Sequence, residues 1–280
     1  MPVMPVIFCF IGMTEKRNTL LMSWRMARVG WHLVSGCTQI AVFFGRSNPE
    51  QKQRRIQNWS AQLLAACGMK IKVVGDINSL PKATGRFWVS NHVSWLDIFA
   101  INAVQPMRFV GKDDIQTWPV IGWLVARSDT IFISRSNRNA ALAANDIISN
   151  ALQQGANIAI FPEGTSTDGH QLKPFKHSLF QAPISAQVPV QTLCVRYPME
   201  NGELNPAPAY HGDISIWQTL VSLLQQPQSL VEVHILAGVE TNDVSRQQLS
   251  ALAQAQIAQC LEQYKVATVE DVQSYSPTVS

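Results

Sequence analysis

Charge is scarce in this 280-residue chain: Asp, Glu, Lys and Arg make up 15% of it, against about 25% in an average soluble domain. With 46% hydrophobic residues this is not the composition of a disordered chain, and it points to a large core, contact with a membrane, or both. Imbalance of charge is also missing, since 22 basic and 19 acidic residues leave a net +3. No basic block interleaved with aromatics is present, which argues against a nucleic-acid binder. Cysteine is sparse and scattered: Cys9, Cys37, Cys67, Cys194 and Cys260 are odd in number and form no CxxC pair. That excludes a disulfide framework and a structural zinc site and suggests a reducing compartment. The six histidines show no HExxH or similar spacing, so no metal is expected. GxGxxG, GxxxxGK[ST] and GxSxG are all absent, which argues against nucleotide binding and a serine-nucleophile elbow.

A long apolar run is missing too. The N-terminus, MPVMPVIFCFIGMTEKRN, has no basic start and no small-residue cleavage site, so it does not read as a secretory signal. Leu20 to Gly45 is apolar, but its longest stretch free of Asp, Glu, Lys and Arg, Val29 to Gly45, includes His32, Ser35, Thr38 and Gln39. It falls short of the ~20 apolar residues of a membrane span. Arg25 and Arg28 beside Trp24 and Trp31 suit the headgroup layer, and the expectation is a helix lying in the membrane interface, with a true span or a buried soluble helix as the alternatives. A second amphipathic helix is expected over residues 48–67, with Ile56, Trp59, Leu63 and Leu64 on its apolar side.

From residue 70 onward short β-rich runs alternate with helical ones. Strands are expected at 70–74, 86–90, 107–110, 130–133, 157–161, 190–195 and 231–239, and helices from about 94, at 118–126, 138–154 and 244–264. This order implies an α/β fold, a mostly parallel mixed sheet flanked by helices, preceded by the membrane-interfacial helices. The organisation reads as an N-terminal apolar and membrane-associating segment (1–68), an α/β domain (69–266) and a flexible tail (267–280).

Two turns carry chemistry. The first, Asn91-His92-Val93-Ser94-Trp95-Leu96-Asp97, follows the strand RFWVS at a sheet edge where sites usually sit. With Ser94 as helix cap, Asp97 would point back toward His92, holding one ring nitrogen and leaving the other as a general base. Ser94 and Asp97 also read as a simple capping box. The second turn, Phe161-Pro162-Glu163-Gly164-Thr165-Ser166, follows the strand NIAIF and should open on the same edge. It offers a carboxylate, small hydroxyls and backbone N–H groups for an acceptor's hydroxyls or an oxyanion, or it is an acidic surface turn. Lys112 and Arg135 follow neighbouring strands, where they could hold a phosphate or carboxylate or lie solvated at the surface; Lys173 and Lys176 are weaker candidates.

These residues resemble a known family. NHVSWLD is similar to the NHxxxxD signature of glycerolipid acyltransferases of the 1-acylglycerol-3-phosphate O-acyltransferase type. GKDDIQTWPVIGWLVARSDTIFISR, FPEGTS and Val188-Pro189-Val190 resemble the family's further blocks, in the same order, between about Gly75 and Tyr197. The resemblance implies a membrane-associated enzyme that moves a fatty acyl group from acyl-CoA or acyl-carrier protein, as co-substrate, to a lysolipid hydroxyl, without a cofactor or metal. In that scheme His92 is the base and Asp97 its partner, Lys112 and Arg135 hold the anionic head, and Glu163, Gly164 and Thr165, with Ser94, belong to the substrate site. It also implies membrane-lipid substrates and bacterial inner-membrane residence facing the cytoplasm. One departure stands out: many phosphatidic-acid-forming members have Arg where this chain has Ser166. FPEGTSTDG with LKPFKHSLF is also similar to lyso-ornithine-lipid acyltransferases. A thioesterase or lipid hydrolase using the same pair, and a non-catalytic lipid-binding module, are the other readings.

Overall fold

The computed structural model describes residues 6–80, 85–113, 127, 129–133 and 138–273. Helix α1 (Val6–Phe43) and α2 (Pro49–Ala66) come first. Then follow β1 (Met69–Val74), β2 (Arg86–Ser90), α3 (Asp97–Val104), β3 (Arg108–Lys112), β4 (Ile131–Ile133), α4 (Arg138–Gln153) and β5 (Asn157–Ile160). The chain continues through α5 (Gln181–Ala186), β6 (Val190–Arg196), α6 (Ile216–Gln225), β7 (Ser229–Val239) and α7 (Arg246–Gln273). The seven strands form one sheet in the order β1-β7-β6-β2-β5-β3-β4, parallel throughout except for the antiparallel β6–β7 pair. The mixed, mostly parallel sheet expected from the sequence is therefore present. The expected helix at 118–126 lies outside the described residues.

Burial explains the layering. β2 and β6 are buried along their whole length, as strands covered on both faces must be. Their side chains alternate: Trp88, Leu193 and Val195 join a core with Leu63, Leu64, Leu96, Ile101 and Leu223 from α2, the turn before α3, α3 and α6. Phe87, Val89 and Val190 face the other side, with Ile148, Leu152, Leu249 and Ile257 from α4 and α7. The outermost β1 carries exposed Lys70 and Lys72, charges that discourage pairing with another chain.

Helix ends follow local chemistry. Asn48 caps α2 through a reciprocal box with Gln51, with Pro49 inside the first turn, and Ser215 and Gln218 do the same for α6. The sequence reading did not include α6, although this box marked its start. α7 runs on to Gln273, past the point where a tail was expected.

The N-terminal helices differ from expectation in one respect. Trp24, Trp31, Leu20 and Val34 are exposed on α1, and Arg28 lies over the Trp24 ring at 4.6 Å. Arg25, in contrast, is buried and does not belong to a headgroup-facing surface. Its guanidinium donates to the carbonyls of Leu224 (3.3 Å), Gln226 and Pro227 (2.7 Å), closing the C-terminus of α6. Gly68, at φ +79°, makes room: a Cβ there would come within 2.2 Å of the guanidinium carbon. His32 and Trp59 stack and exchange hydrogen bonds with each other's carbonyls, fastening α1 to α2. No described helix is long and apolar enough to cross a membrane.

Candidate active site

Three adjacent parallel strands, β6, β2 and β5, end on one edge of the sheet. The segments leaving them bring together Tyr197, the His92–Asp97 turn and Glu163. Asn91 fixes the first turn against β6 by accepting from Val195 N–H (2.8 Å) and donating to Val195 C=O (2.9 Å).

α3 begins at Asp97 rather than near Ser94. Ser94 is fully buried and its hydroxyl accepts from Leu96 N–H at 3.2 Å, so the side chain belongs to the interior of the turn. Asp97 opens the helix, and its carboxylate reaches back to the turn before it. Asp97 Oδ2 accepts from the N–H groups of Val93 (2.7 Å) and Ser94 (2.9 Å) and from His92 Nδ1–H (2.8 Å). Its Oδ1 accepts from the Tyr197 hydroxyl at 2.6 Å. Four donors thus hold a wholly buried carboxylate in one rotamer. The sequence left a Ser94–Asp97 box and histidine binding as alternatives; the Asp97 carboxylate takes Ser94 N–H and His92 Nδ1–H together, while α3 itself starts without a side-chain cap.

With Nδ1–H committed to Asp97, His92 Nε2 is the basic nitrogen, and it has no protein partner among the described residues. The imidazole is 19% exposed and stacks on Phe161 at 4.1 Å, with Phe109 stacked beyond at 5.7 Å. An oriented imidazole against an apolar wall, open at Nε2, can take a proton from a hydroxyl placed before it.

The second turn supports the first. Glu163 was expected to expose its carboxylate, but it is only 3% exposed. Oε1 accepts from His92 N–H (2.8 Å) and Oε2 from Lys173 N–H (2.9 Å). Burial pushes its carboxyl above the usual range, against the pull of those two N–H groups. Thr167 holds the other side of His92, donating to its carbonyl from N–H (2.9 Å) and hydroxyl (3.2 Å). Gly164 turns the chain at φ +73°, a conformation that favours glycine.

The region 70–196 matches the family model described as Acyltransferase. The chain is 32% identical to the lyso-ornithine lipid O-acyltransferase of Pseudomonas aeruginosa over 203 residues, 72% of this chain and 76% of that protein. It is 33% identical to the 1-acyl-sn-glycerol-3-phosphate acyltransferase of Neisseria gonorrhoeae over 185 residues, 66% of this chain and 71% of that protein. The chain belongs to the acyltransferase family. Its fold is shared with the crystal structure of the 1-acyl-sn-glycerophosphate acyltransferase PlsC from Thermotoga maritima (TM-score 0.68, 18% identity, covering 90% of this chain and 98% of that one).

In this acyltransferase the remaining candidates sit as follows. Thr165 is exposed on the second turn, and the backbone of Lys112 ends β3 on the same sheet edge as His92. The Lys112 side chain and all of Arg135 lie outside the described residues. Lys173 and Lys176 reach the site through backbone N–H groups, to Glu163 and to Pro162 C=O (2.9 Å). Ser166 is buried and donates to Tyr210 C=O. Sequence reasoning missed Tyr197, Thr167, Asn91 and the stacking role of Phe161. Asn91 and Tyr197 lie just after predicted strands, Phe161 ends one, and Thr167 follows the second turn, which was the signal available.

Proposed function

We propose that this acyltransferase moves a fatty acyl group from an acyl thioester to the free hydroxyl of a lysolipid, with 1-acylglycerol-3-phosphate as acceptor and phosphatidic acid as product. The observation that carries the reading is the His92 imidazole, bonded at Nδ1 to buried Asp97 and open at Nε2. His92 Nε2 removes the acceptor's hydroxyl proton as its oxygen attacks the thioester carbonyl. The tetrahedral intermediate then expels the thiolate, which takes the proton back from His92. Asp97 keeps Nδ1 protonated and favours the transient imidazolium, so no protein nucleophile is required. Lys112 and Arg135 are the proposed partners of the acceptor's anionic head, and Thr165 lies at the acceptor's side of the turn. Acyl-CoA or acyl-carrier protein supplies the acyl group.

Membrane-lipid substrates and the exposed Leu20, Trp24, Trp31 and Val34 of α1 support residence at a bilayer surface, proposed here as the cytoplasmic face of a bacterial inner membrane. Ser166 favours a second acceptor, a lyso-ornithine lipid. Its buried hydroxyl bond to Tyr210 occupies the place where many phosphatidic-acid-forming enzymes have an arginine suited to a phosphate monoester.

The test is acyl transfer by purified protein in detergent, with CoA and acyl-carrier-protein thioesters against lysophosphatidic acid, lyso-ornithine lipid and no acceptor, beside His92→Ala. Phosphatidic acid formed by wild type and lost in the variant supports the first reading. Product only with lyso-ornithine lipid selects the second. Fatty acid released without acceptor makes the protein a hydrolase, and retained transfer by His92→Ala refutes the mechanism.

A further inference from the structure

Three of the four donors to Asp97 lie within five residues of it in sequence; the fourth, Tyr197, comes from beyond β6. We infer that Tyr197 is a positioning residue for the His92–Asp97 pair: its hydroxyl fixes Oδ1 of the carboxylate and sets how strongly Asp97 draws on His92.

The phenol is enclosed on all sides, and a buried tyrosine hydroxyl needs a partner. It takes the carboxylate oxygen not bonded to His92, at 2.6 Å, a short charge-assisted bond between two buried side chains. The paired bonds of Asn91 with Val195 hold the two segments in register, two residues from Tyr197. Burial, and then the neighbouring Asp97 charge, keep the phenol well above its ordinary titration range, so it remains a donor wherever His92 works as a base.

Among the described residues, the titratable side chains facing the pair are Tyr197, from the β6 side, and Glu163, from the turn after β5. Lys173 and Tyr210 meet these turns through backbone atoms. Glu163 bonds to the His92 backbone and reaches the pair only through its charge, whereas the Tyr197 hydroxyl is bonded to the carboxylate itself. A donor on Oδ1 withdraws charge from Asp97; without it, Asp97 favours the imidazolium more strongly and is less firmly oriented.

This inference rests on His92 acting as the base, so its test has one readout that needs no turnover. Tyr197→Phe removes only the oxygen. Expected are a roughly tenfold lower kcat with an unchanged KM for the thioester, and an acid limb of the kcat/KM profile moved to higher pH. The downfield proton NMR signal of His92 Nδ1–H, which reports its bond to Asp97, should move further downfield. Placing 3-fluorotyrosine at position 197 makes the hydroxyl a stronger donor, and both the limb and the signal should move the opposite way. A tyrosine that merely fills space would give no movement in either variant, and that result overturns the inference. Should the protein transfer no acyl group to any acceptor, the NMR signal alone still decides.

Discussion

Replacing Asp97 with Asn isolates what its charge contributes, because the surroundings dictate how the amide must sit. Three N–H groups converge on Oδ2, whereas among the described residues Oδ1 meets only the Tyr197 hydroxyl, which can turn to accept. The Asn oxygen therefore takes the Oδ2 position and its NH2 faces Tyr197. His92 keeps its proton on Nδ1 and Nε2 stays available, so the wrong-tautomer penalty of about 10⁴ known for the same change in serine proteases does not apply in full. What is lost is the attraction between carboxylate and imidazolium. With 2.8 Å between Nδ1 and Oδ2, the charge centres lie roughly 4 Å apart, which at an effective dielectric constant of about 20 is worth about 4 kcal/mol. That corresponds to a loss of about 10³ in kcat. KM for the thioester should hold, and the fold should remain, since each hydrogen bond has a counterpart. Initial rates of thiol release dependent on acceptor, beside a denaturant unfolding curve, measure both. An Asp97→Asn enzyme within tenfold of wild type would refute the argument that Asp97 acts by charge.

Glu163→Gln places an NH2 against one of two backbone N–H groups, so unfolding should cost about 1–3 kcal/mol less and kcat should fall while KM for the acceptor changes little. A raised acceptor KM with unchanged kcat would instead mean that Glu163 touches the acceptor. Arg25→Met uncaps α6 and should lower stability by about 1.5–3 kcal/mol, read as a reduced unfolding midpoint, leaving the carbonyls of Leu224, Gln226 and Pro227 without their guanidinium donor. The pH dependence of stability has two stages. Burial holds His234 below the ordinary histidine range despite the Glu232 hydrogen bond, so its contribution is present above about pH 6.5 and is lost as pH falls through its folded value. Burial raises Glu232, but the hydrogen bonds of Lys72 and His234 outweigh it and hold the carboxyl below its usual range, so that contribution is lost only below about pH 4.3. Thermal melts across this range should show both stages. Glu232→Gln should flatten the lower one, and an unchanged slope there would assign it to other groups.

What the sequence determined by itself was whatever depends on neighbours along the chain. Apolar runs such as RFWVS and NIAIF mark strands that need cover on both faces, and the turns after them carry His92, Asp97 and Glu163 because a parallel sheet exposes its strand ends together. Even locally the reading had limits: α3 starts at Asp97 rather than near Ser94, because the Val93 and Ser94 N–H groups are turned onto the Asp97 carboxylate and that stretch stays a turn. Only the tertiary structure decided partners distant in sequence. Tyr197 lies 100 residues from Asp97 and Arg25 is 199 residues from Leu224, so no spacing in the chain joins them. Arg25 beside tryptophans has the composition of a membrane surface, yet the open carbonyls at the end of α6 gave its charge a buried place. Glu163, acidic in a polar turn, has the signature of an exposed residue, and it is buried because two backbone N–H groups on separate segments needed one acceptor to bring them together.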